Sequence, residues 1–195
     1  MSLPHVSSEG GPIILGDFAA LRTWRGVSGS SNHYDTACQL VQSTNPSPIT
    51  FGGVESIVWD FGGAGTSDIV VVNDSHISVV RIWPDASWTE TETETTIISS
   101  ATARFGKSVI ANLTISSGYL LALWATEDAS EFSSPLNAQG VPRPGLSIGD
   151  GGAYVRIQRG RYDITACEWQ TDKFDVTKID LRRADNVFQK ITEPS

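Results

Sequence analysis

A chain of 195 residues, 39% of them hydrophobic, is long enough to bury a real core, and one domain is expected. Its net charge of −8 repels phosphate backbones, which argues against nucleic-acid binding, and it draws a basic partner. It holds no apolar run of about 18 residues or more and shows no basic-then-apolar leader, so no membrane span and a cytoplasmic location are expected.

Eighteen glycines and nine prolines break the apolar runs into short pieces, the texture of a turn-rich β protein. Gly10 to Leu15 reads as a turn entering a strand. Asp17 to Gly26 places Phe18, Leu21 and Trp24 at helical spacing, with Asp17 as N-cap and Gly26 as stop. Tyr34 to Gln42 reads as a strand by its alternation, and Asn45 to Pro48 as a turn. Val54 to Phe61 is a strand. Ile69–Val72 and Ile77–Trp83 flank a hairpin loop at Asn73–Ser75.

Trp88 to Thr96 alternates Thr with Glu. A period of two makes it a strand carrying Glu90, Glu92 and Glu94 on one face. Val109–Ile115 and Gly118–Ala125 are further strands. A proline-rich loop or crossing fills 127–151, and Ala153–Gln158, Tyr162–Trp169 and Val176–Leu181 close the fold. The tail after Asp185 reads as flexible. Roughly nine or ten short strands and one helix near 17–25 make a mainly β fold, a β-sandwich or curved antiparallel sheets, with α+β as the variant.

One pattern occurs twice. His33-Tyr34-Asp35-Thr36-Ala37-Cys38 returns as Arg161-Tyr162-Asp163-Ile164-Thr165-Ala166-Cys167, and the two cysteines of the chain sit at matching places. This predicts a pseudo-duplicated single domain with related halves at about 8–100 and 101–185. Tyr34, Tyr162, Cys38 and Cys167 are then core positions. A Cys38–Cys167 bridge requires the halves to pack symmetrically, and a reducing compartment argues for two buried thiols instead.

Catalytic signatures are scarce. His5, His33 and His76 lie in loop-like contexts, with no metal-ligand spacing and no Cys-x-x-Cys, so no metal and no cofactor are expected. No nucleophile elbow, P-loop or dinucleotide fingerprint appears. Asp60, Glu127 and Asp128 are candidate glycosidase carboxylates that the sequence does not bring together. The expectation is a protein that is not an enzyme.

The Thr-Glu stripe admits three readings: an edge strand guarded by charge, a partner-binding face, or a calcium site. Trp88 follows the Pro84-Asp85 turn and borders the stripe. It is the tryptophan expected at the surface, where an aromatic beside acid suits a hot spot for a basic protein or a stacking platform for a sugar. Asp85, Trp88, Glu90, Glu92 and Glu94 are the candidate partner-binding residues.

Several segments share a resemblance. Ser8-Glu9-Gly10-Gly11-Pro12-Ile13-Ile14-Leu15, Trp24-Arg25-Gly26, Tyr34 to Cys38, Val79 to Trp83, Gly160 to Ile164 and Ile179-Asp180-Leu181 resemble, as islands between about residues 7 and 183, motifs of the immunity protein 21 family of bacterial polymorphic toxin systems. The family's Leu-Gly-Asp-Glu-Pro segment is represented only by Trp59-Asp60-Phe61-Gly62. The resemblance implies a protein that binds and neutralises a cognate protein toxin in the cytoplasm. The alternative is a carbohydrate- or small-ligand-binding β-sandwich module. The oligomeric state and the toxin stay open.

Overall fold

The computed structural model describes residues 3–28, 32–41, 45–51, 53–60, 62–84, 87–132, 145–147 and 151–184. The strands are β1 (His5–Ser8), β2 (Ile13–Asp17), β3 (Ser47–Phe51), β4 (Val54–Trp59), β5 (Gly65–Asn73) and β6 (His76–Pro84), followed by β7 (Ala111–Ile115), β8 (Tyr119–Trp124), β9 (Gly145–Ser147), β10 (Gly152–Arg156), β11 (Gly160–Gln170) and β12 (Phe174–Arg183). The helices are α1 (Phe18–Leu21), α2 (His33–Leu40) and α3 (Glu90–Thr102). Strands make up 49% of the described residues, in two antiparallel sheets of which one curls into a half-barrel, so the expected mainly β class holds.

The first sheet runs β1-β5-β6-β12-β11-β7 and the second β3-β4-β2-β8-β10-β9. Each strand of the first six occupies the place that the strand six later occupies in the second six. The three-strand unit β1-β5-β6 meets β7-β11-β12 at the β6–β12 seam, and β3-β4-β2 meets β9-β10-β8 at the β2–β8 seam. The molecule thus has a pseudo-two-fold topology. Its halves share both sheets, because each half contributes half of each.

The repeated motif is not the trace of that symmetry. Its second copy lies in β11, whose counterpart is β5, whereas its first copy folds as α2 between β2 and β3. The strand expected over Tyr34–Gln42 is therefore corrected. The Asn32 side chain accepts from Asp35 N and starts a helix, and Tyr34, Ala37 and Val41 then align at helical spacing against the second sheet. The similar letters at 161–167 are instead held in register between β7 and β12. Neighbours, not local sequence, decide between the two forms. Two of the expected core positions move outward as a result. Cys38 is exposed and Tyr34 half-buried, while Tyr162 is buried and Cys167 half-buried. Both thiols are free.

Both sheets are covered on both sides. Ile13, Leu15, Ile57, Trp59, Ile77, Val79, Ile179 and Leu181 fill the space between them. Ile14, Val58, Leu121, Leu123 and Tyr154, on the alternate positions, meet Phe18, Leu21 and Trp24 on the outer face of the second sheet. Strands buried on both faces read as unbroken apolar runs, as Ile13-Ile14-Leu15 and Leu120 to Leu123 do. The buried Asp17 carboxylate caps α1 through Ala19 N and Ala20 N and also accepts from Ser116 N and Ser117 N, tying β2 to the β7–β8 turn. Gly26 has φ 53°, and a Cβ there would sit 1.9 Å from the Thr126 carbonyl oxygen, so only glycine fits where the connection after β2 touches its counterpart after β8.

The outer face of the first sheet is covered by α3, and here the sequence misleads. His76 and Ser78 on β6, with Lys178 and Asp180 on β12, alternate with Ile77, Val79, Ile179 and Leu181, as a solvent-facing polar row would. Instead Lys178 is fully buried and its Nζ donates to the carbonyl oxygens of Ser100, Ala101 and Ala103 at 3.1, 3.2 and 2.7 Å. These carbonyls end α3, which has no basic residue in its last turn. Asp180 Oδ2 lies 3.3 Å from the same nitrogen, and Asp180 Oδ1 meets His76 Nε2 at 2.9 Å and accepts from Ser78 Oγ. His76, expected in a loop and solvated, is buried. Burial lowers the Lys178 pKa, and the Asp180 charge opposes that shift.

Replacing Lys178 by Met leaves a buried carboxylate and three helix-end carbonyls without their cation. We expect a loss of about 3–5 kcal/mol in urea unfolding, with faster amide exchange at the end of α3. A loss near zero would mean that the ammonium does not hold the helix.

Candidate partner-binding surface

The Thr-Glu stripe is a helix, not a strand. Thr89 is its N-cap. The Thr89 side chain accepts from Glu92 N at 3.2 Å, and the Glu92 carboxylate accepts in return from Thr89 N at 2.8 Å. This capping box was visible in the sequence as Thr89-x-x-Glu92 ahead of Ile97-Ile98. The period-two Thr-Glu alternation masked it. The correction changes the face. At 3.6 residues per turn Glu90 and Glu94 stack on one side of α3, while Glu92 turns away and is engaged by the cap. All three are exposed. The hydrogen bonds from Thr89 hold the Glu92 carboxyl below its usual pKa.

Trp88 is half-buried rather than fully exposed. Its ring meets Phe174 edge to face at 5.2 Å, and Phe174 comes from the start of β12. Trp88, Thr91, Glu92, Thr95, Thr96, Lys173 and Phe174 line an open groove of about 340 Å³ between the first turns of α3 and the β11–β12 turn. Of the three glutamates only Glu92 therefore joins Trp88 in this groove, Glu90 and Glu94 lying on the other side of α3, and Phe174 and Lys173 are added from a segment that sequence distance hid. Asp85 lies outside the described residues.

A larger open groove, about 630 Å³, lies at the same hairpin end and is lined by Trp83, Glu168, Trp169, Gln170, Asp175, Val176 and Thr177. Cross-strand partners Gln170↔Asp175↔Trp83 and Glu168↔Thr177↔Arg81 put the polar members on the inner, concave face of the first sheet. Trp169 belongs to the outer face, where it packs with Val80 and Ile97.

The residues considered for catalysis are engaged elsewhere. Asp128 accepts from Ser130 N and pairs with Arg25 at 3.1 Å, and these contacts lower its pKa, hydrogen bonding to Ser130 foremost. Asp60 accepts from Gly62 N at 2.8 Å. His33 Nδ1 accepts from Arg25 N, and burial with the nearby Arg25 charge lowers its pKa. Ser78, His76 and Asp180 converge, yet both oxygens approach the same imidazole nitrogen, so the ring does not relay between them. Among the described residues no group of three or more His, Cys, Asp or Glu is placed to hold a metal ion, and no helix is long and apolar enough to cross a membrane.

Besides Lys178 and Asp180, the buried Arg81 and the half-buried Asp68 escaped sequence reading. Arg81 is fully buried. Its guanidinium donates to the carbonyls of Gly63 and Gly65 and to Ser67 and Ser8 hydroxyls, which fixes the turn into β5. Burial brings its pKa down to about 10, so it stays charged at neutral pH. Asp68, half-buried on β5 near Glu94 and His5, has its carboxyl pushed up to about 6, chiefly by burial, with Glu94 adding to the rise and His5 opposing it.

Comparison with known protein families, characterised proteins and solved structures finds no match to this chain.

Two outcomes follow for the face of α3. Thr89→Ala opens the capping box and should lower stability by about 1 kcal/mol while sparing the β-sheet signal in circular dichroism. Between pH 4 and 6 native Asp68, at about 6, binds its proton more tightly than the unfolded chain at 3.8. Stability therefore falls as pH rises through that window. Asp68→Asn should abolish about 1–2 kcal/mol of that fall, read as urea midpoints at pH 4.5 and 7.5. An unchanged slope in the variant would place the titration elsewhere.

Proposed function

We propose that the chain is a binding protein that occludes a basic protein partner, and that this partner is a cognate bacterial toxin which it neutralises without catalysis, in the cytoplasm. The observation that carries the reading is the Trp88–Phe174 pair, set in an open groove at the acidic start of α3. A half-buried aromatic pair ringed by Thr91, Thr95, Thr96, the Glu92 carboxylate and Lys173 has the composition of an interface centre with a polar rim. The net charge of −8 would speed encounter with a basic surface. The toxin identity of the partner rests on the motif islands alone. A second reading, a carbohydrate- or small-ligand-binding module, draws on the concave groove at Trp83, where an indole lies beside acid and amide side chains.

The test is capture of the product of the neighbouring gene at low and high salt, with variants of the α3 face. Trp88→Ala should weaken capture about tenfold or more through dissociation. Glu90→Lys with Glu94→Lys should slow association at low salt, and the effect should fade as salt rises. Glu92 is left intact, because its loss would open the helix cap. Wild-type affinity in both variants would remove this surface from the interface, and capture of no basic protein would remove the reading.

A further inference from the structure

We infer that the concave groove at the hairpin end of the first sheet is an anchor pocket for an arginine side chain of the partner. This rests on the reading that the chain binds a basic protein, and it names the contact. The groove is lined by Trp83 and Trp169 and by two carboxylates, and Trp83 is the tryptophan on the inner face. Trp83 is half-buried, with its inner side against the core between the sheets. Asp175 is its direct cross-strand partner, and Gln170 pairs with Asp175 from the other side. Glu168 lies two residues along β11, on the same face. Glu168, Gln170 and Asp175 are all exposed.

Charge decides the occupant. The groove lining holds two acidic residues and no cationic one. Arg81, in the next cross-strand row, spends its guanidinium on Gly63, Gly65, Ser67 and Ser8, and the Arg104 guanidinium lies 5.6 Å from the ring centre of Trp169, whose side chain belongs to the outer face. A planar guanidinium stacked on an indole face can also receive carboxylate oxygens in its plane, a match that an ammonium or a neutral ring does not make. The volume of about 630 Å³ admits such a head group with its stem. The position suits a protein partner as well. Phe174 and Asp175 are consecutive and point to opposite faces, so one partner gripping this hairpin end reaches the Trp88–Phe174 groove and the concave groove together.

The experiment follows the Trp83 indole N–H resonance in the full chain at low salt. Ligands are N-acetyl-argininamide, its neutral isostere N-acetyl-citrullinamide, and methyl glucoside. The arginine derivative should shift the resonance saturably. Citrullinamide, and the Glu168→Gln/Asp175→Asn variant with argininamide, should bind at least about tenfold more weakly. The variant's carboxamides are surface replacements, and an unchanged melting curve verifies its fold. No saturable shift overturns the inference, as does equal binding of citrullinamide or the glucoside, which would make the groove a neutral-ligand site. Failure here with toxin capture still sensitive to Trp88→Ala sinks the pocket and leaves the binding reading standing. Argininamide binding without capture of any basic protein sinks the toxin reading and leaves a cation pocket.

Discussion

The ammonium of Lys178 is the constraint on which the outer half of the first sheet depends. A buried charge costs several kcal/mol unless it is surrounded by partners. Here the partners are the last carbonyls of α3 on one side and Asp180 on the other. One side chain on the central β6–β12 seam therefore offsets its own desolvation, satisfies a helix end and sets where that helix lies. Because the C-terminal end of α3 is pinned there, its capped N-terminal end reaches the β11–β12 turn, where Trp88 finds Phe174. The candidate surface at one end of the helix is a consequence of a cation buried at the other.

The pseudo-two-fold sets the scaffold, and its departures from symmetry supply the features that could serve function. Six strands in each half trace the same path, and the seams join equivalent strands. The connection β2 to β3 carries α1 and α2, whereas the described part of its counterpart from β8 carries a 3-10 turn at Ala129–Glu131. The two connections are held together by Trp24 Nε1 donating to Ala125 O and by Ala129 N donating to Trp24 O. The helix between the halves, α3, brings the acidic face. A symmetric scaffold offers two similar surfaces, and an added element makes one of them distinct.

The polar groups divide between an organised interior and an open surface. The polar groups with the most organised surroundings, Asp17, Arg81, Lys178 and Asp180, are all buried and hold backbone or one another. At the hairpin end, by contrast, the carboxylates are exposed and the aromatics half-covered.

The sequence by itself determined the β class, most strand positions, the hairpin at Asn73–Ser75 and the Asp17 cap. These rest on short-range physics: apolar runs, turn residues and a side chain reaching its own backbone. It also held the closeness of Trp88 to Glu92, since they are neighbours along the chain. Only the tertiary structure decided that His33–Cys38 is a helix while its near-copy at 161–167 is a strand, because each form depends on what packs against it. It alone placed Lys178, Asp180 and His76 inside, since a row of alternating polar residues faces water unless another element covers it. It alone assembled Phe174 beside Trp88 and Asp175 beside Trp83, because contacts between residues far apart in the chain arise from register and covering, which no local pattern encodes.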